Sequence, residues 1–308
     1  MQEASGTLRV GRGWWWLGHL ARIALGIVLL IASLVKAADL PLFAEQIAGY
    51  QILPVLAPFL ARAFVVIELV LAAGLLSGWR PRWSLTATAA LMLLFIVVVV
   101  YAWTQGYEGA CGCFGTRGSR GPLGVVLEDS LFIALAVIGL RGLRHVSGRR
   151  PWQAGAVVAG LVVGLVAPLV AGTLPIDGFV TDARPGQPFD KIVLEGFSGD
   201  PEQGTYLFAL LDPTDPASAN AVSSLDELVE QTDGSPTVVG VIQGTNDDLV
   251  GFMFEHDPFF ELAHVPRAGL RRFYRELPVY LLVEDGVIRR AWFERVPEAT
   301  ALQARSST

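Results

Sequence analysis

Five apolar stretches, at residues 14–37, 57–77, 83–103, 122–140 and 152–174, restrict this chain of 308 residues more than any other feature. The hydrocarbon core of a bilayer takes about 20 apolar residues as a helix. A helix also pairs nearly all of its own backbone N–H and C=O groups where no water can do so. The chain therefore predicts a helical membrane bundle with the lipid bilayer as its first partner. Arg9 and Arg12 precede the first stretch, and Val35-Lys36-Ala37 has the look of a cleavage site. That apolar run is nevertheless too long for a secretory signal, and four more follow it.

Charge divides the chain. Residues 1–174 carry 13 basic and 7 acidic side chains, whereas residues 175–308 carry 10 basic and 22 acidic. The first part reads as a membrane region with basic loops and the second as an acidic, water-soluble domain, which argues against nucleic acid as a partner. Arg9 and Arg12, Arg80 and Arg82, and Arg141, Arg144, Arg149 and Arg150 all fall on one side of a five-span bundle. Lys36, Arg117 and Arg120 fall on the other, diluted by Asp39, Glu45 and Glu108. The excess of arginine marks the cytoplasmic side, so the amino terminus is expected inside and the carboxy-terminal domain outside. Trp14, Trp15, Trp16, Trp79, Trp83 and Trp152 would form an inner interfacial belt, with Tyr101, Trp103 and Tyr107 at the outer one. The expected location is a bacterial cell (inner) membrane, multi-pass.

The two cysteines of the chain, Cys111 and Cys113, stand one residue apart in Cys-Gly-Cys-Phe-Gly, between the third and fourth stretches. Gly112 gives the backbone the freedom a Cys-x-Cys bridge needs. A bridge that tight would be strained and would exchange readily, and the outer side of the membrane is where a dithiol can cycle through a disulfide. Arg117 nearby would favour the thiolate. These cysteines are the candidate catalytic residues. A stapled loop and a thiolate metal site are the competing readings.

Charges inside apolar spans call for a partner or a function. Counted from the helix ends at about 1.5 Å per residue, Arg22 and Glu68 lie at similar depths on antiparallel spans and are expected to meet. Arg62 lies at the depth of Glu128 and Asp129. These five are the candidate cofactor-binding residues, as a polar site for a quinone or for proton release; the other reading is ion pairs that specify the bundle. No cofactor is fixed by the residues, and a quinone is the class such a site would take.

Beyond a proline-containing linker, the pattern predicts a strand over 205–211, a helix over 217–231, a strand over 237–243 and a helix over 247–256. A hairpin follows, of strands 279–283 and 287–292 turned at Glu284-Asp285-Gly286. This order is similar to the thioredoxin fold, and the resemblance places Pro278 at that family's cis-proline. It also puts Asp215-Pro216-Ala217-Ser218 where the family has Cys-x-x-Cys. Lacking sulfur there, the domain cannot exchange disulfides itself, and Asp215 and Ser218 are expected to cap the helix. His256 and His264, with Asp257 and Glu261, are read as part of a solvated acidic face rather than a metal site.

The membrane half carries a second resemblance. Arg22, Gly26, Lys36, Asp39, Phe43, Tyr50 and Pro54, then Glu68 and Gly74, then Cys-Gly-Cys-Phe-Gly, resemble the MauE family of the wider DoxX-like group, over roughly residues 15–143. The resemblance implies a four-helix membrane domain, here over 1–145. A fifth span and linker would occupy 146–182, and an extracytoplasmic α/β thioredoxin-like domain 183–308. It implies a redox-associated membrane protein that assists disulfide formation or maturation of an extracytoplasmic thiol or disulfide protein, methylamine dehydrogenase in the family. A non-enzymatic assembly factor and a Cys-x-Cys metal-handling protein are the alternatives.

Overall fold

The computed structural model describes residues 12–106, 121–143, 150–171, 174, 176–189, 192–232, 234–293 and 295–303. The chain forms two compact units, Met1–Leu174 and Pro175–Thr308.

In the first unit α1 (Arg12–Ala38), α3 (Ala57–Ser77), α4 (Pro81–Thr104), α5 (Pro122–Gly142) and α6 (Pro151–Val170) are the long helices. All five are long and apolar enough to cross a membrane, and the shortest has 20 residues, which at 1.5 Å each spans about 30 Å. Proline stands in the first turn of α3, α4, α5 and α6, where its missing N–H costs nothing. Among the helices of this unit, α2 (Leu40–Gly49) has no counterpart in the expected stretches; it follows α1 and is too short to span. Its start is written in the residues, since Asp39 accepts the Leu42 N–H at 3.1 Å and Pro41 lies in the first turn. A single 3-10 turn, Pro54–Leu56, leads into α3.

Helix α1 packs on α3 and α5, α4 on α5, and α6 on α3. Small residues let the backbones meet. A Cβ added at Gly142 would lie 2.4 Å from the Trp14 carbonyl oxygen, so α1 and α5 touch main chain to main chain. Gly160 and Gly164 of α6 do the same against α3: an added Cβ would come within 2.9 Å of the Leu69 carbonyl oxygen and 3.0 Å of the Val66 Cα. Close approach of this kind drives helix association where lipid removes the hydrophobic incentive. Trp14, Trp15, Trp16, Trp83, Trp103 and Trp152 lie on exposed helix surface. Arg9, Tyr107, Glu108, Arg117, Arg120, Arg144 and Arg149 lie outside the described residues.

The second unit begins with a turn of helix, α7 (Asp177–Val180), and then alternates: β1 (Thr205–Leu211), α8 (Pro216–Thr232), β2 (Thr237–Gln243), α9 (Asn246–His256), β3 (Glu261–Val265), α10 (Arg267–Leu270), β4 (Val279–Glu284), β5 (Val287–Phe293) and α11 (Ala299–Gln303). The sheet order is β3-β2-β1-β4-β5, with β1, β2 and β3 parallel and β4 and β5 antiparallel. Alternate residues of β1 serve two cores: Phe208 and Leu210 face Phe189, Phe273 and Leu281, while Leu207, Ala209 and Leu211 face Leu225 and Leu228 of α8 and Phe252 of α9. A central strand covered on both faces reads as a continuous apolar run, which is what Tyr-Leu-Phe-Ala-Leu-Leu is. At the β4–β5 turn Asp285 and Gly286 have φ of 47° and 74°, the left-handed pair that a two-residue hairpin requires. Leu277–Pro278 is cis and leads into β4, as expected of Pro278.

Strand β3 is a correction. His256, Asp257, Glu261 and His264 are expected on a solvated acidic face, yet Glu261–Val265 pairs in parallel with β2. His264 is buried, exchanges both backbone hydrogen bonds with Glu195 at 2.9 and 3.1 Å, and places Nε2 3.2 Å from the Glu195 carboxylate. The signal is only five residues long and begins with an acid, so periodicity alone does not reveal it.

Candidate functional site

Cys111 and Cys113 lie outside the described residues, between the end of α4 at Thr104 and the start of α5 at Pro122. The five intramembrane charges singled out in the sequence are described, and the structure rearranges them.

Glu68 is buried at 1% exposure and its partner is Lys36, not Arg22: the Lys36 ammonium donates to Glu68 Oε1. Lys36, itself 4% exposed, also lies over the rings of Phe43 and Phe95, 5.1 and 5.5 Å from their centroids. Arg22 is level with the last turn of α3, where its Nη1 donates to the carbonyls of Leu75 and Leu76 and packs against Gly78, whose φ of +73° ends the helix. A cation on the carbonyl end of a helix satisfies groups that otherwise lack partners and meets the negative end of the dipole. Arg22 thus meets α3 about two turns beyond Glu68, at the carbonyl end of that helix, and the two do not meet.

Arg62 does not join the acids either; it sits on exposed surface of α3. Six residues at 3.6 per turn place it about 240° around the helix from Glu68. Asp129, 5% exposed, does lie with Glu68. Both line a cavity of about 30 Å³, together with Lys36, Thr88, Glu128 and apolar side chains of α1, α4 and α5. Glu68 Oε2 and Asp129 Oδ2 are buried and have no hydrogen-bond partner. Lys36, expected among the charges of the outer side and part of the family resemblance, is the residue that the candidate set lacks. The signal was available: Leu25, Leu29, Ala32 and Lys36 recur at helical spacing and all are buried.

In the second unit the segment after β1 holds no thiol. Asp215 Oδ1 accepts the Ala217 N–H at 3.2 Å, and Ser218 Oγ accepts the Asp212 N–H at 3.0 Å while lying 3.4 Å from Asp215 Oδ2. Asp215 thus caps the start of α8 as expected, whereas Ser218 turns back to close the loop behind β1. A chain of polar groups that the sequence did not announce runs inward from there: Gln243 donates to the half-buried Asp212 Oδ2, and the buried Tyr274 hydroxyl donates to Gln243 Oε1. Asp212 also accepts the Thr214 N–H and hydroxyl at 2.9 and 2.7 Å. The ends of β1 and β2 are therefore tied by hydrogen bonds beside the start of α8. Among the described residues no group of three or more His, Cys, Asp or Glu side chains is placed to hold a metal ion.

Residues 15–142 match the family model of the methylamine utilisation protein MauE. Among solved structures, the chain is similar to the crystal structure of a thioredoxin-like superfamily protein, at 15% identity and a TM-score of 0.30, over 42% of this chain and 99% of that one. No curated protein matches the chain. Five apolar helices long enough to cross a membrane make this a multi-pass membrane protein whose first unit is similar to MauE over residues 15–142 and whose second unit is an α/β domain of sheet order β3-β2-β1-β4-β5.

Proposed function

We propose that this protein is a membrane thiol–disulfide component that acts on an extracytoplasmic partner through Cys111 and Cys113. The observation that carries the reading is the distribution of sulfur: both cysteines of the chain stand one residue apart within the MauE match, while the thioredoxin-like domain has Asp215 and Ser218 in place of thiols. In the exchange a partner thiolate attacks one sulfur of the Cys111–Cys113 disulfide and the other cysteine leaves as thiolate. A second partner thiol then displaces the first cysteine, so the partner gains a disulfide and the loop becomes a dithiol. The client is an extracytoplasmic protein that needs disulfides; a methylamine dehydrogenase subunit is the example that the family supplies. The thioredoxin-like domain docks the client without chemistry of its own. Arginine bias supports a cell-membrane orientation with the amino terminus cytoplasmic and this domain outside.

The test is thiol labelling of intact cells across a series of redox buffers, comparing wild type with Cys111→Ser and Cys113→Ser. A two-electron transition that either substitution abolishes, with a mixed disulfide to a partner trapped in one variant, is the expected result. Thiols that stay reduced at every potential would remove the proposal.

A further inference from the structure

Next to the cavity that holds Glu68 and Asp129 lies a second one, of about 150 Å³, inside the first unit. The two share Lys36, Phe95 and Val125 in their walls. Apart from Lys36 and Tyr50, the larger one is lined by apolar side chains, among them Phe43, Phe64 and Phe95. A 150 Å³ apolar cavity is about the size that accepts one six-membered ring, and it falls below the roughly 300–1,000 Å³ that encloses a drug-sized molecule. An occupant would therefore insert a ring and leave any tail outside.

At the shared end the ring would meet two kinds of polar group. Lys36 presents an ammonium, which only donates. Glu68 Oε2 and Asp129 Oδ2, on side chains 1% and 5% exposed, are carboxyl oxygens without partners. Leaving buried polar atoms unpaired is costly, and a head that bears oxygen on the ring can pair with them. A carbonyl accepts from the ammonium and a hydroxyl donates to a carboxylate. We propose that this cleft binds the head of a lipid-soluble benzoquinone or its quinol, with the ring among Phe43, Phe64 and Phe95 and one ring oxygen at Lys36, Glu68 and Asp129. Its use in the cell rests on the function proposed above: a dithiol closing to a disulfide gives up two electrons and two protons, which convert quinone to quinol.

The experiment uses the full chain in lipid nanodiscs and a short-tailed benzoquinone, with binding read from quenching of tryptophan fluorescence. Saturable binding is expected, weakened roughly tenfold or more by Lys36→Met, which removes the donor. Val98→Trp, which fills the larger cavity without touching the buried charges, should weaken it as much and guards against a Lys36 variant that fails to fold. Binding should persist in the Cys111→Ser/Cys113→Ser double variant. No saturable binding, or binding that Val98→Trp leaves unchanged, overturns the site. Retained binding in a protein that shows no thiol transition would instead overturn the redox function and leave the site standing.

Discussion

At the scale of the residue, the Lys36–Glu68 pair is the feature with the largest energetic stake, because both groups are nearly inaccessible. Removing one partner leaves a buried charge uncompensated, which typically costs about 3–5 kcal/mol, whereas removing both costs far less. Glu68→Ala should therefore lower the denaturation midpoint of the purified protein in detergent sharply, and the Lys36→Met/Glu68→Ala double variant should recover much of that loss. Equal losses in both would show that the pair does not act as a unit. A second residue, outside the membrane, has a predictable pH signature. The Thr245 N–H and hydroxyl, at 2.7 and 2.8 Å, hold the Asp248 carboxyl below its ordinary range. A carboxyl with a lowered folded value stabilises the fold above its unfolded value of about 3.9 and loses that contribution as pH falls through the folded value. Melting of the 175–308 fragment should thus drop less between neutral pH and about pH 3 in Asp248→Asn than in wild type; identical acid profiles would refute the capping role.

At the scale of the element, α6 shows how little holds a membrane helix. Gly164 is its one buried residue among those described, and α6 packs mainly on α3, with a weaker contact to α1. Gly160 and Gly164, four apart, bring it against Leu69, Ala73 and Val66, a small-xxx-small arrangement. Gly160→Leu should separate α6 from α3, read as loss of a disulfide cross-link engineered between the two helices, while Gly155→Leu, where an added Cβ meets nothing within 4 Å, should leave it intact. Cross-linking that survives Gly160→Leu would mean that other contacts carry the packing. The short helix α2 and strand β3 belong to the same scale. Each has its own local logic, a cap at Asp39 and a run of Leu-Ala-His-Val. Neither is long enough to stand out by periodicity, and β3 is held by pairing with β2.

At the scale of the whole molecule, the domain 175–308 has two cores of its own, one on each face of the sheet. Expressed alone it should fold as a soluble unit and yet fail to reduce insulin or isomerise disulfides, since Asp215 and Ser218 cannot form a mixed disulfide. Measurable exchange by the fragment would contradict the assignment of all sulfur chemistry to the Cys111 loop. The orientation proposed from arginine placement is tested on the full chain: a reporter fused after Thr308 should be active outside the cytoplasm only, and cytoplasmic activity would overturn it.

What the sequence determined by itself is what depends on sums over neighbours. The five membrane-crossing stretches are legible because hydrophobicity adds along a run of about 20 residues. The βαβ–α–ββ order is legible because strands and helices differ in period, and the Glu284-Asp285-Gly286 turn because Gly and Asp tolerate positive φ. Only the tertiary structure decided which buried charges meet. Arg22 and Lys36 are both cations on one helix, and nothing local says which will reach Glu68. That choice follows from how α1 lies along α3, where Gly26 meets Leu75 and Leu76, residues far apart in the chain. The network of Asp212, Gln243 and Tyr274 is of the same kind, since its members lie on separate segments that the sheet brings together. Pairings of this sort are written in helix offsets and strand register, and those become definite only when the whole unit packs.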